Sequence, residues 1–216
     1  MAASSNSVQS GETGLLACPS SCYKCVVSYY KRHLPHWQPE GAALFLTWRL
    51  HGSLPRTVEI LEPRPAGEAF VTIDRKLDEA ATGPRWLQEE RVARVVVDAL
   101  RYGERQLGLY HLRAWVLMIN HVHILVYPEA PLSRITKAIK NYSARQANAI
   151  LGRTGLPFWQ DESYDHWARG PEESAKIVRY IENNPVAAGL VSAGEDWRWS
   201  SAFGTEGQAG RPVLPK

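Results

Sequence analysis

The segment from Asn120 to Tyr127 constrains the fold more than any other part of the sequence. Two classes of side chain alternate along it, with Val122, Ile124 and Val126 at even positions and His121, His123 and Leu125 at odd positions. Because successive side chains of a β-strand point to opposite faces, this alternation predicts a strand with one aliphatic face and one face that carries both imidazoles. Two neutral imidazoles on one face can bind a metal ion, although a His-x-His pair on a strand is often only packed or solvent-facing.

The segments around this strand predict an α+β domain. Residues 110–118 form a second strand, Ile119 and Asn120 make the tight connection, and the histidines therefore begin a central hairpin strand. An earlier strand is predicted at residues 43–50. Helical spacing predicts a helix before the Gly83-Pro84 break and another that runs to about Gln106, and neither shows catalytic chemistry. Two further helices are predicted at residues 132–151 and from Pro171 to Pro185.

Tyr180 and Asn184 lie four residues apart in the last predicted helix, so they share one helix face. The carboxamide oxygen could then complete a metal site beside the phenol. A phenol has an unperturbed pKa of about 10 and attacks phosphorus only after it loses its proton, which a neighbouring divalent cation favours. The alternative is a packed ring followed by an ordinary helix end before Pro185.

Positive charge is concentrated near these motifs. The net charge of the chain is only +3, but residues 131–160 contain no Asp or Glu. Within this stretch four donors recur at intervals of three and four on one helix face and are predicted to bind DNA phosphates: Arg134, Lys137, Asn141 and Arg145. Asn148 extends the same row, whereas Tyr142 belongs to the core-facing stripe of that helix. A solvated helix face is the alternative interpretation of the row.

Length and composition predict one folded domain. With 216 residues, 44% of them hydrophobic, we expect a flexible leader at residues 1–32, a domain at residues 33–204 and a flexible tail at residues 205–216. No apolar run suits a membrane span and the start lacks a secretory pattern, so a cytoplasmic protein without a membrane partner is expected.

The leader contains every cysteine of the chain. Cys18, Cys22 and Cys25 precede His33 and His36, which is enough ligands for a structural zinc site, although the spacing fits no standard finger. The alternative is a dispensable leader that buries too little apolar surface to become ordered.

Five motifs together carry a resemblance to a known family. They lie at residues 33–37 (HLPHW), 118–123 (MINHVH), 158–160 (FWQ), 180–191 (YIENNPVAAGLV) and 199–201 (WSS). In this order they resemble the REP-associated tyrosine transposases, which are single-tyrosine HUH transposases, over about residues 33–202. Ile119 departs from the pattern, because the family usually has proline there.

The resemblance implies both a fold and a reaction. The fold is a ferredoxin-like or RRM-like antiparallel sheet that carries the HUH motif on a central strand. By the resemblance, His121 and His123 match the metal pair, Asn184 the third ligand and Tyr180 the nucleophile. The implied reaction is cleavage and rejoining of single-stranded DNA beside REP-type palindromic hairpins, through a 5′-phosphotyrosine and a free 3′-hydroxyl.

The cofactor implied for this reaction is Mg²⁺ or Mn²⁺, which suits a ligand set of oxygen and nitrogen atoms. The resemblance further implies a bacterial, nucleoid-associated protein that works as a monomer, with a dimer as the alternative.

Two other functions fit the same residues. One is a non-catalytic protein that binds nucleic-acid hairpins, with Tyr180 merely packed. The other is a metal-dependent phosphodiesterase that activates water. A covalent adduct between DNA and Tyr180 is expected only for the transposase.

Overall fold

The computed structural model describes residues 28–31, 35–38, 42–54, 66–79 and 83–204, with the backbone alone at 28–31, 35–38 and 66–71. Within these ranges the chain forms, in order, β1 (Ser28–Lys31), β2 (Pro35–Gln38), β3 (Ala43–Arg49), α1 (Ala66–Glu79), α2 (Glu90–Arg105), β4 (Tyr110–Leu117), β5 (His121–Pro128), α3 (Leu132–Ile150), β6 (Tyr164–Ala168) and α4 (Pro171–Ala187). None of the helices in these ranges is long and apolar enough to span a membrane.

The ends of the chain contain several of the predicted features. Residues 1–27 of the predicted leader and residues 205–216 of the predicted tail lie outside the described residues, and so do the three cysteines and His33. His36 is part of β2. The zinc hypothesis therefore remains a prediction.

Four antiparallel strands form the main sheet, in the order β4-β5-β3-β6, while β1 and β2 form a separate hairpin. The connections β3 to β4 and β5 to β6 each pass through helices, and β4 and β5 are joined by a tight turn. This is the ferredoxin-like α+β arrangement that the sequence predicts. The histidine strand β5 is an interior strand, paired with β4 on one side and β3 on the other.

The two faces of this sheet are covered by different helices. One cluster joins the even-numbered residues of β3 and β5, such as Leu46 and Ile124, to α2 and α3. The other joins the opposite face, including Phe45 and Leu125, to Ile181 of α4. Because both faces are covered, the interior strands are apolar over most of their length, and a polar side chain on them must have a specific partner.

Helix α4 extends beyond its predicted end. The sequence predicts termination at Pro185, but the helix continues to Ala187. A proline in the last turn removes only one backbone donor, and the turn still closes through the bond from the Leu190 N–H to the Pro185 carbonyl, 2.9 Å long. Gly189 then takes a positive φ of 69°, the left-handed conformation that commonly ends a helix.

The inner side of α3 also differs from the prediction. Tyr142 is 46% exposed, so its assignment to the core stripe is wrong. The buried row is Ile139, Ser143 and Ala147, spaced by four residues, and Ser143 accepts a hydrogen bond of 2.9 Å from the Trp159 indole. Asn148 is buried and donates to the Leu156 carbonyl, so it does not belong to the exposed donor row.

The WSS motif covers the free edge of β4. The Leu117 N–H donates to the Trp199 carbonyl and the Ser201 N–H donates to the Trp115 carbonyl, both at 2.8 Å. An uncovered edge strand presents unpaired backbone groups to other chains. This short segment forms hydrogen bonds with backbone groups of β4 that the sheet leaves unpaired.

Candidate metal centre and nucleophile

His121 and His123 lie side by side on the face of β5 that is turned toward α4. Both side chains are completely buried, and their ring centroids are 4.7 Å apart. The prediction that strand alternation places both imidazoles on one face is confirmed. Two buried imidazoles on a largely apolar sheet need polar partners, and these come from elsewhere in the chain.

Helix α1 supplies two of those partners. Asp74 Oδ1 is 3.2 Å from His123 Nε2 and 3.6 Å from His121 Nε2, and Asp78 Oδ1 is 3.7 Å from His121 Nε2. The sequence predicted no catalytic chemistry on this helix, but its two carboxylates lie in the candidate site. A signal was present in the sequence, because Asp74 lies three residues before Leu77, inside the apolar stripe of the helix.

Neighbouring polar groups determine which nitrogen of each imidazole faces the carboxylates. The Asn120 amide donates to the Leu77 carbonyl at 2.9 Å, which leaves its Oδ1 to accept the Nδ1 proton of His121 at 2.7 Å. His121 Nε2 then presents a lone pair. Thr47, opposite His123 in the register of β3 and β5, lies 2.7 Å from His123 Nδ1. Such support behind a ligating imidazole fixes its tautomer and orientation.

The atoms that converge here fit a divalent cation. Asp74, His121 and His123 each offer one ligand atom, and these atoms lie within 4.8 Å of one another. Among the residues that the structure describes, no hydrogen-bond donor reaches the buried atoms His121 Nε2, Asp78 Oδ1 or Asn184 Oδ1. A buried polar atom without a partner costs about 1–3 kcal/mol, so a cation that binds these lone pairs would remove a considerable penalty. Asp74, His121 and His123 thus form a group that could hold a metal ion.

The electrostatics of the group favour metal ligation. Burial, helped by the charge of His123, lowers the pKa of His121 to about 3, so this imidazole is neutral near pH 7. Burial raises the pKa of the Asp74 carboxyl, but the interactions with His123, His121 and Asn184 together outweigh burial and leave the pKa below its ordinary value. Burial and the negative charge of Asp74 raise the pKa of Asp78 to about 7.

Tyr180 and Asn184 reach the same carboxylate from α4. The Tyr180 hydroxyl donates a hydrogen bond to Asp74 Oδ2, and the Asn184 amide lies 3.4 Å from that oxygen. The Tyr180 ring contacts His123 with its centroid 5.8 Å away, and it remains 37% exposed. Asp74 therefore contacts the histidines through one oxygen and the tyrosine through the other.

A cleft of about 1070 Å³ opens beside Tyr180. Helix α1 contributes Asp74, Arg75 and Asp78 to its lining, and α4 contributes a longer row that includes Tyr180 and Asn184. Tyr180 is thus accessible from solvent, whereas both histidines are completely buried. This arrangement suits a reaction on a large substrate whose reacting group enters from the surface.

The predicted DNA-binding residues lie elsewhere. Arg134, Lys137, Asn141 and Arg145 line an exposed groove of about 420 Å³ on α3. Because α3 packs on the opposite face of the sheet from α4, this groove and Tyr180 are on different sides of the domain. The geometry does not bring the two predicted sites together.

Comparison with known proteins finds a family whose sequence pattern matches part of this chain. Residues 88–184 match the family described as "Transposase IS200 like". Over these residues, somewhat less than half of the chain, the sequence is similar to that family. The match contains His121, His123, Tyr180 and Asn184, and it begins after α1, so Asp74 lies outside it. No curated protein sequence matches the chain significantly.

Two solved structures are similar to this chain. One is a REP-associated tyrosine transposase bound to a REP hairpin, with 21% identity, a TM-score of 0.48, and coverage of 80% of this chain and 81% of that chain. The other is a protein of Deinococcus radiodurans R1, provisionally assigned as a transposase, with 17% identity, a TM-score of 0.30, and coverage of 66% and 89%. The likeness to the transposase family rests on the match of residues 88–184 and not on these two structures.

Proposed function

We propose that this protein cleaves and rejoins single-stranded DNA through a covalent bond between Tyr180 and a 5′-phosphate. The observation that carries the proposal is the hydrogen bond from the Tyr180 hydroxyl to Asp74, whose other oxygen faces the two buried histidines. The match of residues 88–184 to a transposase family supports the reaction class.

The chain's own groups account for the proton and the leaving group. Asp74 Oδ2 already accepts the hydrogen bond of the Tyr180 hydroxyl, so the carboxylate is positioned to take the phenolic proton as the oxygen attacks phosphorus. The bond from phosphorus to the 3′-oxygen breaks, and that oxygen takes up the proton that Asp74 accepted and becomes a free 3′-hydroxyl. Attack by a 3′-hydroxyl on the phosphotyrosine reverses these steps, which rejoins DNA without a nucleotide cofactor.

The proposed ligands of a divalent cation, Mg²⁺ or Mn²⁺, are His121, His123 and Asp74, with Asn184 Oδ1 beside them. A bound cation would polarise the phosphate and stabilise the charge that develops on it. Asn184 was predicted as the third ligand, and its buried amide oxygen without a hydrogen-bond partner supports that role. Asp74 adds the carboxylate that hard cations prefer.

The proposed substrate is single-stranded DNA beside a REP-type palindromic hairpin. The resemblance of the five sequence motifs to REP-associated enzymes supports this substrate. The exposed, acid-free face of α3 supports a second contact with DNA away from Tyr180, as a hairpin stem would need. We also propose a cytoplasmic, nucleoid-associated protein that acts as a monomer.

The test is capture of labelled DNA by Tyr180. Tyr180→Phe keeps the ring that packs against Phe45 and removes only the attacking oxygen. We expect this variant to fold and bind hairpin DNA like the parent protein, but to form no covalent complex with a labelled strand in Mg²⁺ or Mn²⁺, as read on a denaturing gel.

Two other tyrosines serve as controls. Tyr142 lies on the exposed face of α3, and Tyr164 lies on β6 beside Phe45, with ring centroids 6.3 Å apart. Their phenylalanine variants should still form the adduct. Cleavage with free product and no adduct in the parent protein would identify a phosphodiesterase that uses water, and binding without cleavage would identify a hairpin-binding protein.

A further inference from the structure

Three cations line the cleft beside Tyr180, and the chemistry proposed above gives them no role. They are Arg75 of α1 and Lys176 and Arg179 of α4. All three are exposed. None of them makes an ion pair or hydrogen bond with another residue in the described part of the chain. By contrast, Arg94 on α2 and Arg198 near the end of the domain each form an ion pair with Glu90.

Three of the four acidic residues in the described lining of the cleft contact other groups, whereas the fourth, Glu195, is exposed beyond the end of α4. Asp74 and Asp78 face the histidines. Glu182 accepts a hydrogen bond of 3.0 Å from the Ser201 hydroxyl. Among the charged residues of α4 that line the cleft, Lys176 and Arg179 precede Tyr180 and Glu182 follows it.

We propose that Arg75, Lys176 and Arg179 bind the backbone phosphates of the unpaired DNA strand that flanks the cut. Lys176 lies one helical turn before Tyr180, about 6 Å along the helix axis, so a phosphate adjacent to the reacting one falls within reach of its ammonium group. The cleft volume of about 1070 Å³ lies at the upper end of ordinary ligand-pocket volumes, about 300–1,000 Å³, so the cleft has room for a short DNA segment.

The contact is electrostatic and independent of base sequence. Tyr180 is the aromatic side chain in the described lining of the cleft, so base stacking contributes less here than in grooves with several aromatic platforms. This surface lies on the α4 side of the sheet and is separate from the α3 groove. The proposal that these residues bind the unpaired DNA strand rests on the proposed function, because it assumes that the substrate is DNA cut at Tyr180.

The experiment measures binding of the full chain to a short thymidine oligonucleotide, without divalent cation, over a range of salt concentrations. The variant is Lys176→Ala with Arg179→Ala. We expect its affinity to fall at least tenfold at low salt, and the slope of log affinity against log salt to decrease by about 1.4, since each phosphate contact on a single strand contributes about 0.7.

The matched control is Arg105→Ala with Arg113→Ala. It removes the same charge from exposed positions on α2 and β4 that do not line the cleft. This control should keep the affinity and the salt slope of the parent. Equal losses in both variants, or no loss in the cleft variant, would overturn the proposal.

Adduct formation by the parent protein is measured in parallel on cleavable DNA, which keeps the two proposals distinguishable. If the cleft variant loses binding while the parent forms no adduct, the phosphate surface stands and the transposase chemistry fails. If the parent forms the adduct while the cleft variant binds normally, the chemistry stands and this surface is wrong.

Discussion

At the scale of single residues, Asp74 connects the two parts of the site. One carboxylate oxygen faces both histidines and the other accepts the hydrogen bond of the Tyr180 hydroxyl, so the same side chain contacts the candidate metal ligands and the proposed nucleophile. A site in which one group positions both partners tolerates little displacement, because reactive geometry is sensitive to shifts of about 1 Å.

We expect Asp74→Asn to weaken Mn²⁺ binding by at least 10–100-fold, the range typical of losing even an outer-shell partner of a metal site. The reason is that asparagine keeps the shape but removes the negative charge between the two imidazoles. Isothermal titration calorimetry measures this directly. The matched control is Asp98→Asn on the exposed face of α2, which should bind Mn²⁺ like the parent. Equal affinity in Asp74→Asn and the parent would remove Asp74 from the metal site.

At the scale of elements, a polar contact ties β6 to the start of α4, the helix that carries Tyr180. Glu173 accepts a hydrogen bond from the Arg169 N–H at 2.6 Å and pairs with His166 Nε2 at 2.8 Å. The hydrogen bond of His166, together with that of the Arg169 N–H, holds the pKa of Glu173 below its ordinary value of 4.5. A carboxyl whose pKa is lower in the folded state stabilises the fold above its unfolded pKa and loses that contribution as the pH falls.

Glu173→Gln should therefore lower the melting temperature at pH 7, with a cost of about 1 kcal/mol or less because the pair is partly exposed. The difference from the parent should stay constant down to pH 4.5, the ordinary value, and should close as the pH falls below it. Thermal unfolding at a series of pH values measures this. Glu172→Gln, one residue earlier on the same helix, is the control and should show a smaller difference at pH 7. A difference independent of pH would show that the carboxylate charge does not act through this contact.

At the scale of the whole molecule, the sheet separates two cationic surfaces. The α3 groove and the α4 cleft lie on opposite faces, so one DNA molecule contacts both only if it passes around the sheet. A hairpin with a single-stranded flank has the two parts that such a path requires, a duplex stem and a flexible strand. This division predicts that the two surfaces respond to different parts of the substrate.

Replacing Arg134, Lys137 and Arg145 by alanine should weaken binding to a blunt hairpin similarly for all stem sequences. For three lost phosphate contacts on a duplex, the slope of log affinity against log salt should decrease by about 2.7. Fluorescence anisotropy with hairpins of different sequence measures both effects. An unchanged salt slope would mean that the exposed face of α3 is only solvated.

The sequence by itself determined the features that depend on local geometry. The alternation around His121 and His123 specifies a strand with both imidazoles on one face, because the period of two is a property of the strand backbone. The spacing of Tyr180 and Asn184 specifies a shared helix face in the same way. The α+β class followed from the order of elements, and the ferredoxin-like topology was implied by the resemblance.

Only the tertiary structure decided which distant groups complete the site. Asp74 reaches the histidines because α1 packs against the end of β5, a contact that no local pattern encodes, although an acid within an apolar stripe is a sign of it. The opposite placement of α3 and α4, and the exposure of Tyr142, likewise depend on which helix covers which face of the sheet. Local periodicity fixes the direction of a side chain within its own element, whereas long-range packing fixes what that side chain meets.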